Sequence, residues 1–502
     1  MARDPQGALV ALNRFGLGAR GGAAGDFGSA ATDPRGFVKA ELNRPSAALL
    51  DAPGLQPTPE LAQLAFDYQN DVKQQREAAK KAADAVAAAG PDAKVSDTGM
   101  SASTPPGNTT TNGTVQPASA NPSPSKEPPQ PPNIIQKTFR GEALARLQRS
   151  TIAESGFVER LVAFWSNHFC ISTNKGELAR MWAGSFEREA IRPHVLGHFG
   201  DMLKAVEQHP AMLYFLDNQQ SIGPDSRAGR NRKKGLNENL AREIMELHTL
   251  GVGGGYSQGD VTSLAAIITG WTFAGRDGKL ALPGTFAFNA NAHQPEPQKF
   301  LGKIYDDTGV TQGEVALSDI AHHPSTATFI ARKFAAHFIA DDPPPALVAR
   351  LDGVFRKTDG DLKLMTLALL DSSEAWHTPM TKMRTPYEFL VASGRLMGRI
   401  PEDPGRALGA LNVLGQPLWT PPGPNGFPDS NSAWAAPENM KLRLDVASQM
   451  SARISDTLEP VELLEAFAGE AVSTETRQTV ERAETRQQAL ALLLMSPEFQ
   501  RR

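Results

Sequence analysis

The sequence predicts a mainly α protein, a large multi-helix domain with long irregular loops, few or no strands, and a disordered insertion. Three observations predict this class. Apolar residues recur at helical spacing along most of the 502 residues, and few segments alternate with the period of two typical of strands. Residues 90–133 are rich in Pro, Ala, Ser and Thr and offer almost nothing that could form a core.

The same patterns divide the chain into three stretches. Residues 1–74 are predicted to form N-terminal helices of the main domain, and 134–502 the remainder of that helical domain. Residues 75–133 are predicted to be a low-complexity, disordered insertion that begins inside an Ala/Lys/Gln-rich helical pattern. Because strong helical patterns resume at Ile134, the insertion is expected to loop out of one domain.

Several helix boundaries follow from capping chemistry. Ser257 and Asp260 form a capping box that opens one helix, and Pro324 stands where the first residue of another is expected. Residues 272–302 mix Gly, Pro, Asn and Phe, which predicts a long loop or a short hairpin. Further helices are predicted over 134–152, 154–170, 177–217, 344–356, 360–371, 384–398, 437–453, 459–468 and 474–494.

Composition excludes several classes of protein. A net charge of −4 and a pI of about 6.2 argue against a dedicated nucleic-acid binder. Cys170 is the only cysteine, so neither an intramolecular disulfide nor a cysteine-rich zinc site can form. No run approaches the ~18 apolar residues of a membrane span. The N-terminus lacks the features of a signal peptide, so a cytoplasmic location is expected for the chain as written.

The segment Leu236 to Gly251 carries the most unusual pattern. On a helix, Asn239, Arg242, Glu243 and Glu246 fall within an arc of about 100° beside the apolar stripe. Charges next to a buried stripe are partly desolvated and need partners. They could form a structural salt-bridge network, with Arg242 paired four residues away. Alternatively they line a pocket in which Arg242 binds an anionic ligand and Glu243 or Glu246 acts as acid, base or metal ligand.

Two further places could contribute to such a pocket. In "FWSNHF", Asn167 and His168 interrupt an aromatic run, and His168 is the first candidate for a general base because imidazole titrates near neutral pH. A hydrogen-bonded core histidine is the alternative. His293 and Lys299 lie in the irregular region and could cover the pocket from a loop, or decorate the surface. The segment "TPPGPNGFP" at 420–428 is expected to be a structural brace.

Signatures of known catalytic sites are incomplete in the sequence. It contains no His-Glu-x-x-His motif, and Glu374-x-x-His377 is one Glu-x-x-His pair where a di-iron bundle needs two. Gly255-x-Ser257-x-Gly259 has the letters of a serine nucleophile elbow, but no strand pattern precedes it, as such an elbow requires. No metal site is therefore predicted, and no cofactor can be named.

An ordered set of motifs resembles a bacterial family known as domain of unknown function 1800. The resemblance spans the chain except for about residues 75–133. The motifs are "ALNRFGLGAR" at Ala11, "FWSNHF" at Phe164, "NENLAREIMELHTLGVGGGYSQGDV" at Asn237, "ITGWTF" at Ile268, "KFLG" at Lys299, "HPSTATFIARKF" at His323, "RTPYEFLVASGRLMG" at Arg384, "LGQPLWTPPGPNGFP" at Leu414 and the closing "MSPEF".

This resemblance implies a largely helical protein with no established activity, so no catalytic residue carries over. Relatives often have export signals, which keeps export open although none is visible here. Their genes often neighbour those of a sulfatase-like family, which suggests a sulfatase-like partner protein. The chain departs from its relatives at His248, where they commonly have an aromatic residue.

The leading functional hypothesis is an enzyme-like polar pocket between helices. Four residues of the 236–251 helix would form one wall, His168 and Asn167 the other, and His293 and Lys299 a cover. The substrate would be small and anionic or saccharide-like, and the reaction hydrolysis or group transfer. The rival is a non-catalytic helical scaffold or partner protein in which the polar cluster is structural, so the sequence leaves open whether the chain is an enzyme.

Overall fold

A computed structural model describes residues 3–88, 133–230, 235–453 and 457–502. Most of the predicted insertion, residues 89–132, lies outside the described part. The chain divides into a unit comprising Met1–Ala65 and Ile135–Arg502 and a second unit, Phe66–Ile134. The helices, strands and site below belong to the first unit, apart from residues 66–88 of one long helix and Ile134, the first residue of the next helix.

The predicted mainly α class is confirmed. The helices before residue 250 are α1 (Pro5–Val10), α2 (Phe27–Thr32), α3 (Pro34–Leu42), α4 (Thr58–Ala88), α5 (Ile134–Ile152), α6 (Phe157–His168), α7 (Glu177–Phe186), α8 (Phe199–Glu207), α9 (Pro210–Phe215), α10 (Arg227–Arg230) and α11 (Asn239–Glu243).

The second half of the chain continues in the same way. Its helices are α12 (Gln258–Ile267), α13 (Val310–Ala321), α14 (Pro324–Phe338), α15 (Pro345–Lys357), α16 (Leu362–Asp371), α17 (Glu374–His377), α18 (Pro386–Leu396), α19 (Gly405–Val413), α20 (Asn431–Trp434), α21 (Pro437–Ser451), α22 (Pro460–Ala468), α23 (Thr474–Glu481), α24 (Arg486–Met495) and α25 (Pro497–Gln500).

Among the described residues, strands are confined to the irregular region around residues 271–305. β1 (Trp271–Phe273) pairs antiparallel with β2 (Phe286–Phe288), and β3 (Gln298–Phe300) pairs antiparallel with β4 (Lys303–Tyr305). These are two separate two-stranded sheets. The expectation of few strands and a short hairpin is therefore confirmed.

Capping chemistry explains where the helices around the site begin. Ser257 and Asp260 form the predicted capping box of α12, and Pro324 is the first residue of α14. A second capping box, Thr385 with Glu388, opens α18. Each cap satisfies backbone N–H groups that the first turn of a helix leaves without partners.

In the described part of the chain, three turns of π-helix interrupt the α-helical pattern, at Ala11–Phe15, Glu187–Ile191 and Ile244–His248. The third replaces the end of the helix predicted over 236–251, so α11 is only five residues long before the wider turn begins. A π-turn shifts the side chains that follow it around the helix axis, and such turns are frequent at functional sites.

The core contains charged side chains among its aromatic and aliphatic residues. Fully buried arginines hold distant segments together by donating to backbone carbonyls. Arg395 donates to the carbonyls of Gly18 (2.8 Å) and Glu154 (2.8 Å), and Arg14 donates to the carbonyl of Ala375 (2.7 Å). Because buried carbonyls need donors, these side chains stabilise the packing of N-terminal against later segments.

Candidate functional site

A cavity of about 270 Å³ lies between the end of α6, the middle of α14, the start of α18 and the loop that follows α19. It is partly open to solvent, and aromatic and proline side chains make up much of its wall. The lining residues are Arg146, Ala163, Phe164, Ser166, Asn167, His168, Cys170, Ile171, Lys333, Ala336, His337, Thr385, Tyr387, Glu388, Gln416, Pro417, Leu418, Trp419, Pro421, Phe427, Pro428 and Asp429.

The loop over the cavity is fastened to the end of α6 by a short ladder of hydrogen bonds. The Asn167 amide donates to the carbonyl of Phe427 (2.9 Å) and accepts from its N–H (2.8 Å). Ser172 Oγ donates to the carbonyl of Pro421 (3.0 Å). Gly426 has φ +78°, and an added Cβ would lie 2.5 Å from the Asn167 carbonyl, so only glycine fits this approach.

His168 has a fixed tautomer. Its Nε2 lies 3.0 Å from the carbonyl oxygen of His248, which can only accept, so Nε2 carries the proton of the neutral ring. The His248 carbonyl can accept this bond because His248 is the last residue of the π-turn at 244–248, and carbonyls at the end of a helix have no partner within it. The other nitrogen, Nδ1, therefore has a free lone pair, and it lies 3.0 Å from Lys333 Nζ. Burial lowers the pKa of His168 well below its usual range, and the Lys333 charge lowers it further.

Lys333 is a cation of the cavity that has no carboxylate in contact with it, although the charge of Asp429 acts on it from a greater distance. Within the described part of the chain, no carboxylate lies within ion-pair distance of its Nζ, whose polar neighbour is the His168 ring. Burial lowers the pKa of the Lys333 ammonium group to about 8. A half-buried ammonium group facing an imidazole rather than a carboxylate is unfavourable for folding, and such groups gather at functional sites.

A second histidine lines the cavity next to a carboxylate. His337 Nδ1 donates to Asp429 Oδ2 at 2.7 Å, and among the described residues its buried Nε2 has no hydrogen-bond partner. Burial lowers the pKa of His337 to about 4 despite the adjacent carboxylate, so the ring is neutral near pH 7. The carboxylate orients the imidazole and leaves its second nitrogen unprotonated, which is the geometry of a general base, while the low pKa makes that base weak near pH 7.

Carboxylates at the base of the cavity are fully paired, unlike Lys333. Asp429 Oδ1 also contacts Arg502 (3.0 Å) and Lys382 (3.3 Å). Glu388 contacts Arg502 (2.9 Å) and Arg160 (3.2 Å) while its backbone and side chain complete the cap of α18. Burial alone would raise the pKa of Glu388, but the Arg160 and Arg502 charges outweigh burial and lower it to about 2.

The charged residues of α11 lie elsewhere. Arg242 is 37% exposed and pairs with Glu238 (3.1 Å) and Glu246 (3.2 Å). Glu243 is half-buried, and burial raises its pKa; Asn239 is exposed. In the described chain none of these side chains lines the cavity. The structure therefore brings His168 and Asn167 to the cavity and leaves Asn239, Arg242, Glu243 and Glu246 outside its lining.

The two loop residues are also separate from the cavity. His293 is buried, with Nδ1 2.9 Å from the carbonyl of Thr269 and Nε2 3.5 Å from Asp307. It lines a different, shallow depression with Arg227 and Arg230. Lys299 is exposed on β3. The roles predicted for both residues stay predictions, because neither placement excludes contact with some other ligand.

Other chemistry has little support in this part of the molecule. Burial raises the pKa of the Cys170 thiol to about 12, so it is not a ready nucleophile. Among the described residues, no group of three or more His, Cys, Asp or Glu side chains is placed to hold a metal ion. No helix of the described chain is long and apolar enough to cross a membrane.

Sequence reasoning missed Lys333, His337 and Asp429. A signal was present, because Lys333 and His337 stand four residues apart on α14 beside the buried Ile330 and Phe334. Asp429 follows the proline-rich loop, which was expected only to brace the fold. The loop is fastened as a brace would be, and it also forms part of the cavity wall through Phe427 and Pro428.

Comparison with known protein families identifies the family of this chain. The family described as "Protein of unknown function (DUF1800)" matches residues 10–501, nearly the whole chain, so the chain belongs to that family. Neither the curated proteins nor the solved structures give a significant match. The chemistry of the cavity therefore rests on its own residues.

Proposed function

We propose that this protein is an enzyme whose cavity holds a small anionic substrate, with Lys333 binding the negative charge and a histidine moving a proton. The reaction class remains hydrolysis or group transfer. One observation carries the proposal, namely that Lys333 Nζ lies in a cavity of about 270 Å³, 3.0 Å from an imidazole nitrogen and without a carboxylate partner in the described chain.

The energetics of burial support an anion as the missing partner. Partly desolvating an ammonium group without a counter-charge destabilises a fold, whereas a bound anion would restore the pairing. Other buried charges of the described chain are satisfied within the protein: Glu388 pairs with Arg160 and Arg502, and Arg14, which has no carboxylate partner, donates to backbone carbonyls. The cavity, at about 270 Å³, is at the small end of the range of ligand pockets, which favours a substrate of few heavy atoms.

The two histidines are suited to different tasks. His168 uses Nε2 on a backbone carbonyl and Nδ1 on Lys333, so it orients the lysine. His337 keeps Nε2 unpartnered and is oriented by Asp429, so it is the better general base for a substrate held by Lys333. This divides the role that the sequence predicts for His168 between two residues.

The alternative is a non-catalytic scaffold or partner protein. It is favoured by the exposed Arg242 cluster, whose charges are paired along one helix as a structural network would be. A sulfatase-like partner, and a cytoplasmic rather than exported location, remain predictions that follow from the family resemblance and the N-terminus.

The proposal is tested by thermal melting in the presence of small anions. Wild type, Lys333→Met and Lys299→Met are melted with acetate, lactate or inorganic phosphate at increasing concentration. A ligand that binds only the folded state raises the melting temperature, and the rise continues with the logarithm of the ligand concentration above its Kd. We expect stabilisation of wild type and of Lys299→Met, the exposed-lysine control, and none of Lys333→Met.

Two results would contradict this expectation. If only Lys299→Met lost the stabilisation, the anion would bind at Lys299, in the irregular region that the sequence indicated, and not at Lys333. No stabilisation of wild type by any of the three anions would favour the scaffold.

A further inference from the structure

Resting on the proposed function, we propose that Lys333 is a covalent amine nucleophile that forms an imine with a small 2-oxo acid. The cavity then has a named substrate class, a carbonyl compound that carries a carboxylate. The argument rests on the hydrogen bonds of Lys333 and His168, on the charges around them and on the size of the cavity.

The hydrogen-bond geometry permits the amine to be released. A lysine paired with a carboxylate is held as ammonium, because the partner favours the charged form. Lys333 instead donates to His168 Nδ1 at 3.0 Å, and the bond from His168 Nε2 to the His248 carbonyl leaves that nitrogen able to accept a proton. Because the pKa of His168 lies below that of Lys333, the imidazole stays neutral at rest and accepts the proton from Nζ only transiently, as the amine attacks.

Other lysines with polar contacts differ in this respect. Lys382 is more deeply buried, but its Nζ lies 3.0 Å from Asp341 and 3.3 Å from Asp429. Lys204 pairs with Glu314 at 2.8 Å. Of these three lysines, only Lys333 lies in the cavity and donates to the lone pair of a histidine ring nitrogen. Its lowered pKa of about 8 leaves about a tenth of the amine neutral at pH 7.

The step balances without an external reactant. Neutral Nζ attacks the carbonyl carbon, a C–N bond forms, and the C=O electron pair moves to oxygen. The proton that His168 accepted, and one from nitrogen, pass to that oxygen, which leaves as water when the C=N bond forms. In total, ammonium plus carbonyl gives protonated imine plus water, so atoms and charge are conserved.

The product fits the electrostatics of the cavity. The protonated imine keeps the single positive charge of Lys333, and in a 2-oxo acid the carboxylate lies next to the imine carbon. One ligand thus supplies both the electrophile and the counter-charge that Lys333 lacks. The cavity of about 270 Å³ is large enough for a molecule of this size, and Phe164 and Phe427 are part of its wall.

Reductive trapping tests the proposal on the full chain. Wild type, Lys333→Arg and His168→Gln are incubated with pyruvate and sodium cyanoborohydride, digested, and the lysine-bearing peptides are quantified by mass spectrometry. We expect one reduced pyruvate adduct, mainly on the peptide containing Lys333, formed faster as pH rises towards 8 and suppressed by lactate. Lys333→Arg should lose this adduct while its melting temperature still rises with lactate, because the charge is retained.

His168→Gln separates proton transfer from binding. Glutamine can accept a hydrogen bond from Nζ but cannot take its proton, so trapping at pH 7 should slow roughly tenfold or more. An unchanged rate would overturn the role of His168 in releasing the amine.

The remaining outcomes distinguish this proposal from the one it rests on. Stabilisation by pyruvate and lactate that depends on Lys333, with no adduct on Lys333, would overturn the nucleophile and leave the anion site. Adducts spread equally over exposed lysines such as Lys299 would also overturn it. Neither stabilisation nor adduct would overturn both proposals.

Discussion

Two regions of this molecule carry charged side chains on helices, and they differ in whether those charges have partners within the protein. On α11, Arg242 has carboxylates at Glu238 and Glu246, one turn away on either side, and is 37% exposed. In the cavity, Lys333 is desolvated and faces the lone pair of His168. The comparison teaches that a dense cluster of charges can satisfy itself, whereas a single cation without a counter-charge leaves room for a ligand.

A third region lies between these extremes. Glu159 is buried and binds Arg192 through both carboxylate oxygens at 2.8 and 2.9 Å, and Arg192 also contacts Glu187 at 2.9 Å. Here the charges are desolvated and fully paired. This region therefore serves as the reference for how much the free energy of unfolding falls when one partner of a buried ion pair is removed.

The largest effect is expected in that buried network. Glu159→Gln leaves Arg192 with less counter-charge at a buried site, so the free energy of unfolding should fall by about 3–5 kcal/mol. The matched control is Glu246→Gln in the π-turn after α11, where a solvent-accessible pair with Arg242 is worth less than about 1 kcal/mol. Denaturant unfolding of both variants measures the difference, and equal losses would erase the distinction between the regions.

The next effect is a dependence of stability on pH. The pKa of Glu388 is lowered from 4.5 to about 2 in the folded state, so the unfolded chain binds the proton first as pH falls. The contribution of Glu388 is therefore full above pH 4.5 and is lost, by about 3 kcal/mol, between pH 4.5 and 2. Comparing unfolding of wild type and Glu388→Gln across this window should give a smaller pH slope in the variant; parallel curves would argue against the pairing with Arg160 and Arg502.

A gain in stability is expected at the cavity. Lowering the pKa of Lys333 from 10.5 to about 8 corresponds to about 3 kcal/mol, which solvent screening reduces to about 2 kcal/mol. Lys333→Met should therefore unfold at a higher temperature than wild type at pH 7. The advantage should shrink between pH 8 and 10.5, because there the folded wild type has already released the proton that the unfolded chain still holds.

The control for this gain is Lys382→Met. Lys382 is buried against Asp341 and Asp429, so its removal should destabilise the protein instead. A loss of stability in Lys333→Met as well would mean that Lys333 has a structural partner and that the cavity is not built around a missing anion.

The smallest effect is expected on α11. Arg242→Gln should change the free energy of unfolding by less than about 1 kcal/mol, and added salt should remove most of the difference because exposed pairs are screened. A larger, salt-independent loss would indicate that Arg242 is engaged more deeply than its exposure implies.

Much of the fold could be predicted from the sequence, and part of the site could not. Period and capping chemistry are local, so α12, α14 and the helix at Ile134–Ile152 begin where Ser257, Pro324 and Ile134 indicated. His168 was found because a polar residue in an aromatic run is a local signal. Lys333, His337 and Asp429 meet only because α14 packs beside a loop about 90 residues further along, and no local pattern encodes that meeting.

The π-turn at Ile244–His248 could not be predicted either, because the sequence pattern was interpreted with the α-helical period of 3.6 residues per turn. It ends the predicted helix early and leaves the His248 carbonyl free for His168. The interpretation of the α11 charges as a site followed from assuming one regular helix with a buried edge. Pairing of Arg242 within its own helix was the alternative that the spacing had left open.

The central claim is that Lys333 is an uncompensated cation in a ligand cavity, and its own titration tests this most directly. Carbon-13 NMR of the lysine Cε resonances, assigned with Lys333→Arg, gives the pKa of each ammonium group. The structure predicts a pKa of about 8 for Lys333, rising when lactate binds. A pKa near 10.5 that does not respond to small anions would contradict the account.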